Sequence, residues 1–407
     1  MRLSAVQSRN VQPTTVQPTN VQPTNVQPTA VLRSTSLPLA TLTVDHGAIA
    51  RNTGRILERS GVAVMAVVKA DAFGHGAVEV ARTVLDAGAT WLGVATVEEG
   101  LELRAADIHA PVFAWLVDPW TDLESAIFAR ITLSCANVET LRAIENAALA
   151  LGITADVHLE LDTGMARGGS TAELWPALCE AAADVERSGG VRVTGIWSHL
   201  ALAGVPTPES VAPSLDAIFA AQRVAARAGL RPQLVHLANS AAVFAHPTTA
   251  LSMVRVGAAL YGIDTVRGVA SGCEPAMRLT SRVTQLRLVE AGVGVGYLHS
   301  YRTTAPTRLA LVPLGYGDGI PRSLSLGGSV SIGGKRYPIR GSISMDQLVV
   351  EIDESVALGD EVVLLGDADR GEPTAAEWAA LVGTVPHEIL TGFGRRITRV
   401  SRQKASL

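Results

Sequence analysis

The chain has 407 residues with 47% apolar and 18% charged side chains, a formal net charge of −4 and three cysteines, Cys135, Cys179 and Cys273. The length predicts two domains, and the near-neutral charge excludes a nucleic-acid-binding surface or a polybasic membrane anchor. Apolar runs of about 18 residues, a secretory-signal pattern and CxxC motifs are absent, so we expect a cytoplasmic enzyme with reduced thiols, no membrane span and no metal site.

The first 37 residues predict a disordered tail. The sequence Val-Gln-Pro-Thr recurs at Val11, Val16, Val21 and Val26, with almost no charged or large apolar side chains between the repeats. Such a segment cannot build a core, and its prolines block helix formation. A solenoid is the alternative, which the short period disfavours.

From about residue 48, short apolar runs alternate with longer segments of helical spacing, as is typical of βα units. An α/β fold, a closed (β/α)8 TIM-type barrel over residues 38–274, fits this pattern best. An open doubly wound sheet is the alternative, but its glycine fingerprint is missing after the first strand. The eight predicted strands are Ala63–Val68, Trp91–Ala95, Pro111–Leu116, Ile131–Cys135, Asp156–Leu161, Val193–Trp197, Leu234–Leu237 and Met253–Val256.

Beyond about Glu274 the pattern changes to alternating strands with tight turns. We therefore predict a mostly β C-terminal domain over residues 275–407 that folds as a separate unit. Its predicted strands are Ser281–Glu290, Leu309–Leu314, Gly328–Ile339, Gln347–Ile352 and Glu361–Leu365.

The loops after the seventh and eighth barrel strands are candidates for binding a phosphate, as in many barrel enzymes. Asn239 and Ser240 offer polar groups at a helix start, and Gly257-Ala258 would let the backbone approach an anion closely. Asn239 could equally be a plain helix cap.

Lys69 follows the first barrel strand directly. Burial and neighbouring charge at a barrel mouth would lower the pKa of its amine and free it for Schiff-base chemistry. A surface lysine with its charge in solvent is the alternative.

Several motifs, in their order and spacing, resemble those of alanine racemase over roughly residues 38–400. The resemblance implies a barrel with a C-terminal β domain, pyridoxal 5′-phosphate as cofactor, an amino-acid substrate and a head-to-tail homodimer. The motifs are Ala66–Gly76, Leu161–Arg167, Ser198–Leu200, His236–Ser240, Arg255–Gly262, Pro313–Gly319 and Ser344–Gln347.

The resemblance also assigns the two acid/base residues. Lys69 matches the lysine that binds the cofactor aldehyde and acts as one base, and Tyr297 matches the other base, contributed by the partner subunit. Two bases on opposite faces of a planar carbon permit racemisation. A phenol with a pKa near 10 needs help to ionise, which a relay through His199 and Arg255 is expected to supply.

The remaining site residues follow from the same resemblance. His199 matches a histidine near the cofactor ring, and Arg255 an arginine facing the pyridine nitrogen, with a packing histidine and an ion pair as the alternatives. Arg167 and the backbone of Met345 match the groups that hold the substrate carboxylate. Tyr316 matches a tyrosine at the access channel and completes the predicted cofactor-binding set with Asn239, Ser240, Gly257 and Ala258.

The chain departs from the family pattern at four places. Phe73 replaces a tyrosine that contacts the phosphate, and a second such tyrosine, expected around 391–393, is missing. Glu160 replaces a lysine that is carbamylated in many members, so we expect it to orient Arg167 directly, an exposed strand residue being the alternative. The loop Gly296–Tyr301 around the second base matches poorly.

These features favour interconversion of L- and D-alanine that supplies D-alanine for peptidoglycan. A broader small amino-acid racemase, acting for example on serine, is the nearest alternative. A decarboxylase of the same architecture is less favoured, because the matches at Tyr297, Arg255 and Tyr316 favour racemisation. A non-catalytic pyridoxal-phosphate-binding protein would explain the missing phosphate contacts but not the second base and the β domain.

Overall fold

The structure, a computed structural model, describes residues 38–402, so the predicted repeat tail lies outside the described residues. The described chain begins with strand β1 (Thr41–Asp45) and helix α1 (His46–Ser60). The Asp45 carboxylate accepts the backbone N–H of Ala48 at 2.9 Å and caps the start of α1. Gly61, in the left-handed conformation, ends it.

Eight parallel strands form a closed barrel, and pairing between the last and the first closes the ring. Each predicted barrel strand is present, so the barrel prediction is confirmed and the open-sheet alternative is wrong. The strands are apolar and buried because helices cover them from outside. They are β2 (Ala63–Val67), β3 (Trp91–Val94), β4 (Val112–Ala114), β5 (Ile131–Cys135), β6 (Ala155–Glu160), β7 (Val191–Trp197), β8 (Leu234–His236) and β9 (Met253–Val256).

Helices connect the barrel strands, and four of them begin at a side-chain cap. Thr96 and Glu99 form a reciprocal capping box, and Asn137 caps the helix after β5. The helices are α2 (Lys69–Gly74), α3 (Ala77–Asp86), α4 (Val97–Ala105), α5 (Leu123–Phe128), α6 (Val138–Leu151), α7 (Trp175–Arg187), α8 (Ala212–Arg227) and α9 (Ser240–Ala245). Within residues 38–402, none of the helices is long and apolar enough to cross a membrane.

The C-terminal part is mostly β, as predicted. The predicted strand Ser281–Glu290 is two strands, and the predicted strand Gly328–Ile339 is a hairpin that turns at Gly333-Gly334, both at positive φ. The strands are β10 (Met277–Arg282), β11 (Gln285–Val289), β12 (Gly294–Val295), β13 (Tyr301–Arg302), β14 (Thr307–Val312), β15 (Ser329–Ile332), β16 (Lys335–Arg340), β17 (Leu348–Ile352), β18 (Glu361–Leu365) and β19 (Thr398–Arg402).

The barrel and the β part are more closely joined than we predicted. β1, which we expected within the barrel domain, pairs antiparallel with β10 and parallel with β19 in a nine-stranded sheet. Helices α10 (Ala375–Val382) and α11 (Pro386–Thr391) follow β18, and α11 packs on α2. Residues 38–402 therefore form one compact unit.

Candidate active site

The carboxyl ends of the eight barrel strands surround a cavity of about 560 Å³. Parallel strands bring the residues that follow them to one rim, where barrel enzymes hold their active sites. Eight of the eleven predicted site residues line this cavity, far apart though they are in sequence. They are Lys69, Arg167, His199, Asn239, Ser240, Arg255, Gly257 and Ala258.

Lys69 is partly buried in this cavity, with its Nζ 5.4 Å from the centroid of the Trp115 ring. Burial lowers the pKa of its amine, repulsion from Arg167 lowers it further, and Glu99 opposes the change. The environment thus favours the uncharged amine, which is the nucleophilic form.

The segment after Lys69 is a left-handed turn made of non-glycine residues. The four residues Ala70–Phe73 have φ between 52° and 56°. Each such residue costs about 1–2 kcal/mol, so surrounding contacts must hold the turn. Glu99 accepts the backbone N–H groups of Ala70 and Ala95, both at 2.7 Å, and Asp71 accepts that of Ala77 at 2.8 Å. This bracing fixes the backbone from which Lys69 extends.

The opposite wall carries the predicted phosphate-binding groups. Ser240 Oγ accepts the backbone N–H groups of Gly257 at 3.2 Å and Ala259 at 3.3 Å, and its own hydrogen remains available. Asn239 Oδ1 accepts the Ala242 N–H at 3.1 Å and caps α9, and Asn239 also lines the cavity.

The structure shows a packing reason for a glycine at position 257, in addition to the predicted close approach of an anion to the backbone. A Cβ at this position would lie 2.9 Å from the Phe73 ring and 3.4 Å from Val67 Cβ. The glycine therefore makes room for the phenylalanine that replaces the family's tyrosine.

Arg255 lies beneath the cavity with only 5% of its surface exposed. Its Nη1 donates to the His236 carbonyl at 3.0 Å, and its Nη2 donates to the Ser198 carbonyl at 2.7 Å and to His199 Nδ1 at 3.2 Å. Its guanidinium carbon lies 4.8 Å from the centroid of the Trp197 ring. Burial lowers its pKa to about 9, against the attraction of a nearby carboxylate.

That carboxylate is Glu160, at the end of β6. Burial raises its pKa to about 7, although Arg255, a hydrogen bond from Ser134 and Arg167 all favour its charged form. Arg167 is exposed and shares no salt bridge with Glu160 among the residues that the structure describes. Glu160 therefore does not orient Arg167 through a direct ion pair within the described chain.

Three predicted site residues lie elsewhere in the described chain, on an exposed surface of the β part. Tyr297 is 67% exposed, Tyr316 42% and Met345 54%. The backbone N–H of Tyr316 donates to Ser344 and that of Gly317 to Met345, so these two loops adjoin. The Tyr297 loop contacts the same segment through the hydroxyls of Ser300 and Ser342, 3.1 Å apart. None of these three residues lines the cavity of the described chain.

Sequence reasoning missed several residues of the cavity wall, among them His387 and Thr391 of helix α11. The family's second phosphate-contacting tyrosine was expected around residues 391–393, where Phe393 is in fact buried in the core of the β part. Helix α11 instead places His387 in the wall, with its ring 5.7 Å from that of Phe73. A histidine after a proline gives no local signal of this role, which only the packing of α11 on α2 reveals.

Comparison with known proteins gives a consistent result along the chain. The alanine racemase N-terminal domain family matches residues 44–265 and the C-terminal domain family matches residues 276–401. The alanine racemase of Frankia casuarinae is 44% identical over 362 residues, covering 88% of this chain and 94% of the relative.

Solved structures agree with the sequence comparison. An alanine racemase from D-cycloserine-producing Streptomyces lavendulae has a TM-score of 0.87 and 41% identity, covering 91% of this chain and 98% of the other. An alanine racemase from Bartonella henselae with covalently bound pyridoxal phosphate has a TM-score of 0.82 and 29% identity, covering 90% of this chain and all of the other, 100%.

Proposed function

This chain belongs to the alanine racemase family of isomerases, and from that premise we propose that it interconverts L- and D-alanine with pyridoxal 5′-phosphate. D-Alanine for peptidoglycan would be the product. One observation carries the proposal: a single cavity is lined by an amine with a lowered pKa, a hydroxyl beside a glycine, and a buried guanidinium.

The residues of the cavity fit the cofactor. Lys69 would bind its aldehyde, Ser240 and the backbone at Gly257 and Ala258 would hold its phosphate, and Arg255 would face its ring nitrogen. The covalently bound pyridoxal phosphate in the Bartonella relative supports this arrangement. Bound cofactor supplies an electron sink that acidifies the substrate's Cα–H. Because a guanidinium only donates, Arg255 keeps the ring nitrogen unprotonated and limits the strength of that sink.

Two bases would exchange the proton at the substrate's Cα. The Lys69 Nζ takes or returns it on one face, and the phenol oxygen of Tyr297 of the partner subunit does so on the other. The exposure of Tyr297 on a surface away from the cavity supports a site shared between two subunits of a homodimer.

His199 can assist the phenol as a hydrogen-bond donor. Its Nδ1 accepts an N–H from Arg255 at 3.2 Å, which favours the neutral ring with its proton on Nε2, and the longer contact of that Nε2 with the Asn239 amide nitrogen is 3.5 Å. Burial, followed by repulsion from Arg255, lowers its pKa to about 3, which keeps the ring uncharged. The Nε2–H would then stabilise a phenolate by hydrogen bonding, without transferring its own proton.

The substrate carboxylate would bind to Arg167 and to the backbone of Met345 from the partner's β part. Tyr316, exposed beside Met345, would line the access channel. This arrangement requires the same surface to supply both the second base and part of the substrate site.

Isotope exchange tests the reaction itself. Purified enzyme incubated with L-alanine in D2O should exchange the α-proton while optical rotation is lost. Release of carbon dioxide would indicate a decarboxylase. If the enzyme neither exchanges the α-proton nor releases carbon dioxide, the chain is a cofactor-binding protein without this activity. The same assay with L-serine tests the broader racemase.

Heterodimers test whether the site is shared. A dimer that pairs a Lys69→Ala subunit with a Tyr297→Phe subunit, isolated by two different tags, contains one intact site only if Tyr297 acts across the interface. It should show about half of the wild-type activity, whereas each mutant homodimer should be nearly inactive. An inactive heterodimer would refute the sharing of sites.

A further inference from the structure

Two histidines lie in the barrel interior below the cavity, and the proposed reaction uses neither of them. His158 on β6 and His236 on β8 have no exposed surface. Phe113 packs against both rings, and Trp197 stacks on His236. Phe113 and Trp197 belong to a buried cluster that also contains Met65 and Met253. Polar rings in such an apolar setting require specific hydrogen-bond partners.

The two rings connect Arg255 to the centre of the barrel. Arg255 Nη1 is 2.9 Å from His236 Nδ1, and His236 Nε2 is 2.9 Å from His158 Nδ1. On the other side, Arg255 Nη2 is 3.2 Å from His199 Nδ1. A continuous row of hydrogen bonds therefore extends from the cavity wall to His158.

The guanidinium determines the direction of every bond in this row. It has five N–H donors and no acceptor, so His236 Nδ1 must accept. A neutral His236 then carries its proton on Nε2 and donates it to His158 Nδ1. His158 in turn carries its proton on Nε2, the ring nitrogen that lacks a hydrogen-bond partner among residues 38–402.

Protonation of either ring would place two donors against each other. Burial and the charge of Arg255 lower the pKa of His158 to about 3 and that of His236 well below its usual value. Burial therefore holds both rings neutral, and the charge of Arg255, which contacts His236 directly, adds to this effect.

Gly195 on β7 is independent evidence that the barrel leaves space for the His158 ring. A Cβ at Gly195 would lie 2.5 Å from the His158 ring, and the pairing of β6 with β7 shifts register beside His158. A glycine inside a strand often marks such a close approach. The barrel thus has local features that accommodate this imidazole.

We propose that His236 and His158 are positioning residues that hold the Arg255 guanidinium in one orientation below the cofactor cavity, each as the neutral ring protonated on Nε2. His236 supplies the acceptor, and His158 fixes the tautomer of His236. The consequence for catalysis rests on the proposed role of Arg255, whereas the protonation pattern does not.

The tautomers can be measured directly. Solid-state NMR of holoenzyme labelled with 15N-histidine separates protonated from unprotonated ring nitrogens, and the variants below assign the signals. We expect both histidines to be neutral, with the proton on Nε2, between pH 6 and 9. A proton on Nδ1 of either ring, or a cationic ring, would overturn the proposal even if racemisation is confirmed.

Paired substitutions test the positioning role. His236→Asn keeps an oxygen that can accept from Arg255, whereas His236→Leu removes the acceptor. The leucine variant should lose about tenfold or more in kcat, change KM for alanine little and shift the absorption of the bound cofactor, and the asparagine variant should recover most of the loss. Equal kcat values in the two variants would contradict the role of His236.

Gly195→Ala tests His158 without altering a polar group. The added methyl group should displace the His158 ring and reproduce the loss of kcat with little change in KM. Gly54→Ala, in α1 with open space around the new methyl group, is the matched control and should behave as wild type. Wild-type kcat in a Gly195→Ala enzyme that folds would remove His158 from the proposal. If that variant does not fold, the NMR measurement of the His236 tautomer in the wild-type enzyme tests the role of His158 instead, and a proton on Nδ1 of His236 would contradict it.

Discussion

Replacement of Glu160 by glutamine should stabilise the fold at neutral pH while weakening substrate binding. The carboxylate lies at the end of β6 beside two arginines but forms no salt bridge with Arg167 or Arg255 among the described residues. Glutamine keeps the shape and can still contact Ser134, but it carries no charge that burial would penalise.

The magnitude follows from the pKa of Glu160, which burial raises from 4.5 to about 7. One pH unit corresponds to about 1.4 kcal/mol, so holding the charged form in the folded chain costs about 3 kcal/mol at most. The side chain retains some solvent contact, which reduces the expected value to about 2 kcal/mol.

The direction in which stability changes with pH depends on whether the folded or the unfolded state binds the Glu160 proton more tightly. Between pH 4.5 and about 7 the folded protein binds the Glu160 proton more tightly than the unfolded chain does. The cost of burying the charged Glu160 side chain therefore grows as pH rises through that window, and the free energy of unfolding of the wild type falls accordingly. Below pH 4.5 the side chain is protonated in both states and this cost vanishes. The glutamine variant lacks this dependence, so its advantage should be small at pH 4.5 and reach about 2 kcal/mol at pH 8.

Urea denaturation of both proteins at several pH values, at fixed protein and cofactor concentrations, measures this difference. Glu354→Gln, an exposed substitution in a turn of the β part, is the control and should show no such pH dependence. A stability difference that is the same at pH 4.5 and 8 would refute the reasoning. Kinetics on the same variant should show a raised KM for alanine, and an unchanged KM would remove Glu160 from the substrate site.

Three further substitutions test other parts of the site. From the position of His387 in the wall beside Phe73, we expect its ring to donate a hydrogen bond to the cofactor phosphate. His387→Ala should therefore weaken pyridoxal-phosphate binding about tenfold, because a hydrogen bond to a charged group contributes about 1.5 kcal/mol, and should leave the affinity for phosphate-free pyridoxal unchanged; fluorescence titration measures both. Gly257→Ala would place a methyl group 2.9 Å from a phenylalanine ring, so the same titration should show weaker binding, and unaltered affinity would contradict this packing argument. Ala70→Gly should stabilise the protein by up to about 1 kcal/mol in thermal denaturation by relieving a left-handed backbone, whereas Ala147→Gly in α6 should destabilise it. Equal signs for the two would argue against strain in the turn.

The barrel was predictable because its strands are buried on both faces. Runs such as Ile131–Cys135 appear as short apolar segments between helical patterns, and eight of them suffice to close a ring. The location of Lys69, Ser240 and Gly257 in one cavity followed from the same rule, because each comes after a parallel strand.

Long-range packing decided what the sequence left open. Nothing local to Thr41–Asp45 indicates that this strand pairs with β10 and β19, which lie more than two hundred residues away along the chain. The same is true of His387, whose place in the wall depends on how α11 meets α2.

The sequence by itself determined which side chains are available and which elements are periodic enough to form: the eight strands, Lys69 at the end of the first, and Arg255 on the last. Only the tertiary structure decided their electrostatic states and hydrogen-bond directions. Burial raises the pKa of Glu160 and lowers that of Lys69, and a donor-only guanidinium orients His236 and His158. These properties arise from distances between residues on different strands, which a local sequence pattern does not encode.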